Sequence, residues 1–381
     1  MALTDIHIAG YRSVRSIHFP VRQLSVLVGA NGVGKTNLYR GLELVRSAAT
    51  GMLARDVARE GGLGSVFWAG DRKAGEQPRL VLSVTLDDVA DSLGHYDLQL
   101  GFPPKYEVEI GFPRPGAAAF ATEAQVKQES LSIASGKRNV AILERKGASV
   151  WARDGQGKRI LANESLLASE TALSSLRGYP EIDAFRETIA AWRFFHGFRT
   201  DADSAMRKPA LAVTAPLLDA DGGNLAAVFA TLRHIREDSV DLDAAIDDAF
   251  PGAILDVPSP GQFASFSMTF PDMPKRAFSA AELSDGTLQF LALMGALLSY
   301  RLPPLIALNE PEASLHPELL PALARLIGKA AQRTQIWVVT HSQVLADALA
   351  QETGVLPRQV IRKDGGTWLE GLNQIGLFND D

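Results

Sequence analysis

Leu24-Ser25-Val26-Leu27-Val28, followed by Gly29-Ala30-Asn31-Gly32-Val33-Gly34-Lys35-Thr36, is the stretch from which the fold is read. The first five residues are a short apolar run of the kind a buried strand shows. The next eight match the spacing G-x-x-x-x-G-K-[ST]. From Lys35 the pattern turns helical, with Leu38, Leu42 and Val45 at i, i+4 and i+7. Glycines let such a loop curl so that its N–H groups face phosphate oxygens, and the helix N-terminus adds partial positive charge. The expected ligand is a nucleoside triphosphate with Mg²⁺. Lys35 is expected to reach the β and γ phosphates and the Thr36 hydroxyl to bind the metal, with Asn37 adjoining the cradle. The chain has no Asn-Lys-x-Asp segment of the kind that reads guanine.

Leu3 to Ile8 and Ser16 to Phe19 read as two strands upstream of this loop. Downstream, Leu80–Leu86, Tyr96–Leu100 and Tyr106–Ile110 are strand-like runs punctuated by Asp, Gly and Pro, which predicts an antiparallel sheet. Between Gly116 and Gly261 the pattern is mixed. Val150 to Gly155 looks like a hairpin and Glu181 to Trp192 like a helix, with no sustained heptads and no fixed-period repeat. The C-terminal part is regular again. Leu288 to Leu298 is apolar nearly all round, as a helix within a core would be. Leu305–Leu308 (strand), His316–Ala331 (helix) and Ile336–Val339 (strand) make a βαβ unit and hence a parallel sheet. The expectation is an α/β fold: a mixed central sheet built from both ends of the chain, a flanking antiparallel sheet, and a mixed inserted or helical lobe. The corresponding division is 1–115, 116–261 and 262–381.

Leu283-Ser284-Asp285-Gly286-Thr287 precedes the buried helix, and Ser284 can cap its N-terminus. It resembles the ABC signature, whose usual form is Leu-Ser-Gly-Gly-Gln. Leu305-Ile306-Ala307-Leu308-Asn309-Glu310-Pro311-Glu312 is an apolar strand ending in a carboxylate and resembles a Walker B segment. Ala313-Ser314-Leu315-His316-Pro317 follows where ABC proteins place the D-loop, and Thr340-His341-Ser342 closes the next strand. In this order the motifs resemble the ABC superfamily, and with Ile8-Ala9-Gly10-Tyr11-Arg12-Ser13-Val14 they resemble the RecF-like AAA-family ATPases, relatives of SMC heads. The resemblance is strong over residues 1–50 and 280–345 and implies an ABC-type P-loop ATPase head. It implies that Glu310 polarises the attacking water, His341 hydrogen-bonds the γ-phosphate, and Ser284 and Gly286 meet ATP bound to a partner copy. It also implies that Arg12 lies near the phosphates and that Asn309, where the family has Asp, helps hold Mg²⁺ without bringing charge. Gln77, Gln125 and Gln128 are candidates for the Q-loop glutamine. Few residues follow His341, fewer than the nuclease domain of the related OLD family needs.

With 46% hydrophobic residues in 381, the chain can bury a sizeable core. Zero cysteines exclude disulfides and thiolate metal sites, and together with an opening unlike a signal peptide this leads to the expectation of a cytoplasmic protein. The longest apolar stretch falls short of the roughly 18 residues a membrane span needs. A net charge of −6 argues against a surface coated with phosphate-neutralising cations. Residues 121–210, with 14 Lys+Arg against 11 Asp+Glu, are the best candidate for a local DNA-binding patch, through Lys137, Arg138, Arg145, Lys146, Lys158 and Arg159. Trp192-Arg193-Phe194-Phe195-His196-Gly197-Phe198-Arg199 could stack on bases, or be a core segment with snorkelling arginines. The expected partners are a second copy held by ATP, DNA as a candidate, and a separate effector or nuclease protein. The alternative is a nucleotide-gated scaffold with negligible hydrolysis that recruits another protein.

Overall fold

The computed structural model describes residues 1–72, 75–87, 103–114, 116, 120–135, 138–154, 156–162, 165–235 and 239–379. The expected strand Tyr96–Leu100, and Lys137 of the basic segment, lie outside these residues. The chain divides into two compact units, one of residues 1–22, 29–192 and 358–381, the other of 23–28 and 193–357. The strands on either side of residue 115 belong to one sheet.

That sheet dominates the first unit. β1 (Leu3–Tyr11) and β2 (Val14–Pro20) form an antiparallel hairpin. β3 (Leu24–Val28) belongs to the second unit. β4 (Leu80–Leu86), β5 (Pro104–Gly111), β6 (Gln125–Ser135), β7 (Arg138–Lys146), β8 (Ser149–Arg153) and β9 (Arg159–Leu161) complete an antiparallel sheet in the order β2-β1-β4-β5-β6-β7-β8-β9. β5 shows why it forms: Tyr106, Val108 and Ile110 are buried and alternate with Lys105, Glu107 and Glu109. The hairpin expected at Val150 to Gly155 is present as β8 and β9, which pair antiparallel with Arg153 opposite Arg159, although Gly155 itself lies outside the described residues. Helix α1 (Lys35–Thr50) buries Leu38, Leu42 and Val45 and ends at left-handed Gly51, whose N–H returns to Ser47 O. The expected helix at Glu181 to Trp192 runs Pro180–Ala190.

Charged residues inside this unit tie its parts together. Glu129 on β6 is fully buried and accepts from Tyr106 Oη (2.9 Å) and from the N–H groups of Ala172 (2.6 Å) and Leu173 (2.8 Å). Burial pushes its carboxyl up, and the two N–H bonds pull it back down. Arg145, one of the residues expected to touch DNA, is only 2% exposed. Its guanidinium donates to the carbonyls of Gly147, Leu167 and Glu170. Arg145 is therefore unable to meet phosphate, because a guanidinium spent on three backbone acceptors inside the fold organises chain, not ligand. Lys146 and Arg159 share Glu144 at 2.8 and 2.7 Å, so that one carboxylate offsets one of these two charges.

The second unit holds a parallel sheet. β10 (Arg193–Phe195) pairs with the strand Leu305–Asn309, that strand with Gln335–Thr340, and Gln335–Thr340 with β3, all parallel. The central strands are buried along almost their whole length, as expected for strands covered on both faces. The helix Asp285–Leu298 is buried at every position from Leu288 on. It is part of one apolar cluster with Leu323, Ile327, Ile336 and Val338. The expected helix His316–Ala331 begins later than predicted. Pro317–Leu319 is a 3₁₀ turn and the α-helix runs Leu320–Ala331, with Pro321 in its first turn where no N–H partner is needed. Phe194, Phe195 and Phe198 are buried, so the aromatic segment serves the core and offers no stacking platform. No helix among the described residues is long and apolar enough to cross a membrane.

Glu129→Ala should leave the Tyr106 hydroxyl and two amides without an acceptor inside the fold. Urea denaturation should show a loss of about 3 kcal/mol. An unchanged midpoint would mean that water reaches these groups.

Candidate functional site

The glycine loop begins at the residue after Val28, the last of β3. Gly32 (φ 82°) and Gly34 (φ 100°) both adopt the left-handed region that only glycine enters cheaply. Gly34 is doubly constrained, since an added Cβ would stand 1.9 Å from Thr367 Oγ1, whereas one on Gly32 would meet open space. Lys35 opens α1 and is buried, its Nζ donating to the carbonyls of Gly29 (2.7 Å) and Ala30 (2.9 Å). The ammonium is thereby held against the loop that it is expected to serve. Ala30, Asn31, Gly32 and Thr36 are exposed, and Gly29 and Val33 are half-buried.

A chain of hydroxyls braces the loop from behind. Asn37 Nδ2 donates to Ser13 Oγ (2.6 Å), Ser13 Oγ meets Thr367 Oγ1 (2.6 Å), and Thr367 Oγ1 donates to Val33 O (2.8 Å). Thr367 lies on the C-terminal hairpin Arg358–Lys363 and Gly366–Leu369, which sequence reasoning did not single out. A hydroxyl on a short strand carries no signal in a single sequence. Arg12 is engaged elsewhere: its guanidinium pairs with Glu60 at 2.8 Å, and Glu60 also accepts from Tyr11 Oη at 2.6 Å. Gln125 and Gln128 lie on β6, and Gln77 is an exposed loop residue.

In the second unit the strands Leu305–Asn309, Gln335–Thr340 and β3 end level. Asn309 is in register with Val339, and Thr340 with Val28. Glu310 leaves its strand with φ 50°, a conformation unfavourable for a side-chain-bearing residue, and is held there by its N–H on Val339 O (2.7 Å). His341 Nδ1 stands 3.6 Å from Glu310 Oε1 and 3.0 Å from Glu312 Oε1. Glu310 and His341 are both partly exposed, with side-chain accessibilities of 34% and 44%.

Glu312 is the residue that sequence reasoning quoted but assigned no role. It is buried, and its Oε1 accepts from the Thr340 hydroxyl and from the N–H groups of His341 (3.0 Å) and Ser342 (3.2 Å). One carboxylate thus holds both the imidazole and the backbone of the loop that presents it. The available signal was a second acid so soon after Glu310, directly following Pro311. Asn309 Oδ1 and Glu312 Oε2 are buried without a hydrogen-bond partner. Asn309 thus presents a buried acceptor oxygen of the kind a hydrated Mg²⁺ would satisfy. Among the described residues no group of three or more His, Cys, Asp or Glu could hold a metal by itself.

Ser284 caps the helix Asp285–Leu298, its Oγ accepting from Thr287 N (3.2 Å). Gly286 is packed against the turn after Glu310, where an added Cβ would stand 2.9 Å from Ser314 O. Asp285, in the place of the usual glycine, pairs with Arg207 at 2.7 Å, and Arg207 also donates to Leu283 O (2.8 Å) and Thr200 O (2.8 Å). The acid that could repel phosphate is thus neutralised from behind. Ser284, Gly286, Thr287 and Ser314 line a cavity of about 690 Å³ together with Phe250 and His316.

A family model described as "AAA domain, putative AbiEii toxin, Type IV TA system" matches residues 160–347, a span that holds Ser284, Glu310 and His341 but not the glycine loop. No curated protein matches the sequence. In structure, the chain is similar to an SMC head bound to the C-winged helix domain of ScpA, at 14% identity and TM-score 0.56, covering 98% of this chain and 99% of that one. It is also similar to the Smc head with an extended coiled coil bound to the C-terminal domain of ScpA derived from Pyrococcus furiosus, at 12% identity and TM-score 0.54, covering 97% and 95%. The fold is the α/β fold of SMC heads, with a parallel sheet and an antiparallel sheet.

Gly32→Ala should cost about 1 kcal/mol, from backbone strain alone. Gly34→Ala should cost clearly more, because the methyl also displaces buried Thr367. Equal costs by chemical denaturation would show that the hairpin yields freely.

Proposed function

We propose that this chain is an ATPase head that binds ATP and Mg²⁺ at Gly29–Thr36 and closes on a second copy around nucleotide. One observation carries the reading: the carboxylate of Glu310 and the imidazole of His341 meet at the level ends of parallel strands, held by buried Glu312, and β3, one of those strands, is followed in sequence by the glycine loop. Ligand sites in open parallel sheets form outside such carboxyl ends. Glu310 is the general base that polarises the attacking water, and His341 hydrogen-bonds the γ-phosphate. Lys35 and the loop N–H groups bind the phosphates. Thr36 and Asn309 would hold Mg²⁺, which when bound offsets charge developing on the phosphates. Ser284 and Gly286 face the nucleotide of the other copy, and Arg207 keeps Asp285 from opposing it.

The finer assignment is to the RecF-like heads. The matched family's AbiEii and toxin–antitoxin description supports a setting in anti-phage defence over one in DNA repair, beside a separate effector protein. The ScpA complexes of the similar heads support a protein partner. Arg145 is lost to the interior and Glu144 offsets one of the two charges of Lys146 and Arg159, so DNA is the weaker candidate.

A second reading, the nucleotide-gated scaffold with negligible hydrolysis, is favoured by Asn309. Its neutral amide gives the metal no charge, and turnover should suffer for it.

Lys35→Ala should abolish ATP binding in calorimetry, and equal affinity for wild type and variant would overturn the ATP site. Phosphate release above background from the wild type separates the ATPase from the scaffold. Glu310→Gln should bind ATP but lose hydrolysis by about a hundredfold or more. With ATP and Mg²⁺ that variant should form a trapped dimer in light scattering. Ser284→Arg should prevent the dimer by setting bulk and charge at the capped helix, and the same mass for every variant with and without ATP would refute the sandwich.

A further inference from the structure

The C-terminal hairpin does more than brace the glycine loop. Thr367 N donates to Ser13 O at 2.7 Å and Thr367 Oγ1 to Val33 O at 2.8 Å, which fixes the hairpin beside the loop. From the same hairpin Arg362 reaches the loop tip. Its Nη1 donates to Gly365 O (3.1 Å) and its Nη2 to Gly32 O (3.4 Å). The turn behind it is tight, with positive φ at Asp364 (50°) and Gly365 (77°).

Arg362 differs in one respect from four arginines of its unit, and it shares that respect with Arg153 and Arg177, which also donate only to carbonyls but away from the glycine loop. Arg12, Arg40, Arg59 and Arg79 each pair with a carboxylate at 3.1 Å or less. Arg362 is exposed and forms no ion pair among the described residues, even with neighbouring Asp364. Only two of the five N–H donors of a guanidinium are committed, both to carbonyls. Gly32, which receives one of them, borders open space: a Cβ there would meet nothing within 4 Å. An unpaired, pre-positioned planar cation at the open tip of a phosphate loop is matched to bidentate phosphate contact.

We propose that Arg362 is a second phosphate-binding cation of the nucleotide site, delivered by the C-terminal hairpin and acting on the polyphosphate rather than on base or sugar. The inference rests on the ATP reading above. It explains why the hairpin is tied so closely to the loop: the same hydrogen bonds that stiffen Val33 also set the height of Arg362.

The test is calorimetric titration of wild type, Arg362→Ala and Arg362→Gln with ATP and with inorganic tripolyphosphate, alongside thermal melts without ligand. Both variants should melt with wild type and bind both ligands about tenfold more weakly or worse, as expected for losing charge-assisted bonds. The deficit should shrink as salt is raised. Wild-type affinity in both variants overturns the proposal. A deficit for ATP without one for tripolyphosphate assigns Arg362 to base or sugar and overturns it equally. If the wild type binds neither ligand, the ATP reading itself fails and takes this inference with it.

Discussion

Parallel hydrogen bonding among β3, Gln335–Thr340 and Leu305–Asn309 sets where every reactive group of the second unit can stand. Because Thr340 is level with Val28 and Asn309 with Val339, the three strands turn into their loops at one height. A shift of one residue would send Asn309 to the opposite face and move Glu310 away from the carbonyl of Val339 that holds it. The register itself is set by strands that are mostly apolar and buried along almost their whole length. The core thus specifies the site through geometry and contributes no reactive atom to it.

On that frame, buried or half-buried charges act as organisers. Glu312 gathers a hydroxyl, two backbone N–H groups and an imidazole. Arg207 gathers the carbonyl before Ser284 and the carboxylate after it. Glu129 and Arg145 do the same in the antiparallel sheet. Each costs desolvation and recovers it in charge-assisted bonds to backbone groups that would otherwise be unsatisfied. The result is a set of loops whose conformations are held by electrostatics, next to groups whose own charge remains free to work.

The glycine loop is treated differently. Its conformation comes from positive-φ glycines, and its bracing from neutral hydroxyls of Ser13 and Thr367. Neutral bracing leaves the positive potential of the loop and of the α1 N-terminus intact, which a carboxylate in the same place would cancel.

The strand, glycine loop and helix at 24–50, the all-apolar helix after Ser284, and the βαβ unit that follows were legible in sequence, because periodicity and glycine spacing are local properties. The placing of Glu310 and His341 just past the ends of neighbouring strands was legible too, through motif order. The antiparallel sheet beyond β5 was not legible, since its strands are short, carry charges such as Glu129 and Arg145 on the buried face, and declare themselves only by pairing. Glu312, Arg207, Thr367 and Arg362 escaped for the same reason: each acts on a partner distant in sequence or through a backbone atom. Local pattern thus determined which loop and strand ends carry the candidate residues, and tertiary contact alone decided which side chains hold them in position, because hydrogen-bond partners 28 to 334 residues apart leave no periodic trace in the chain.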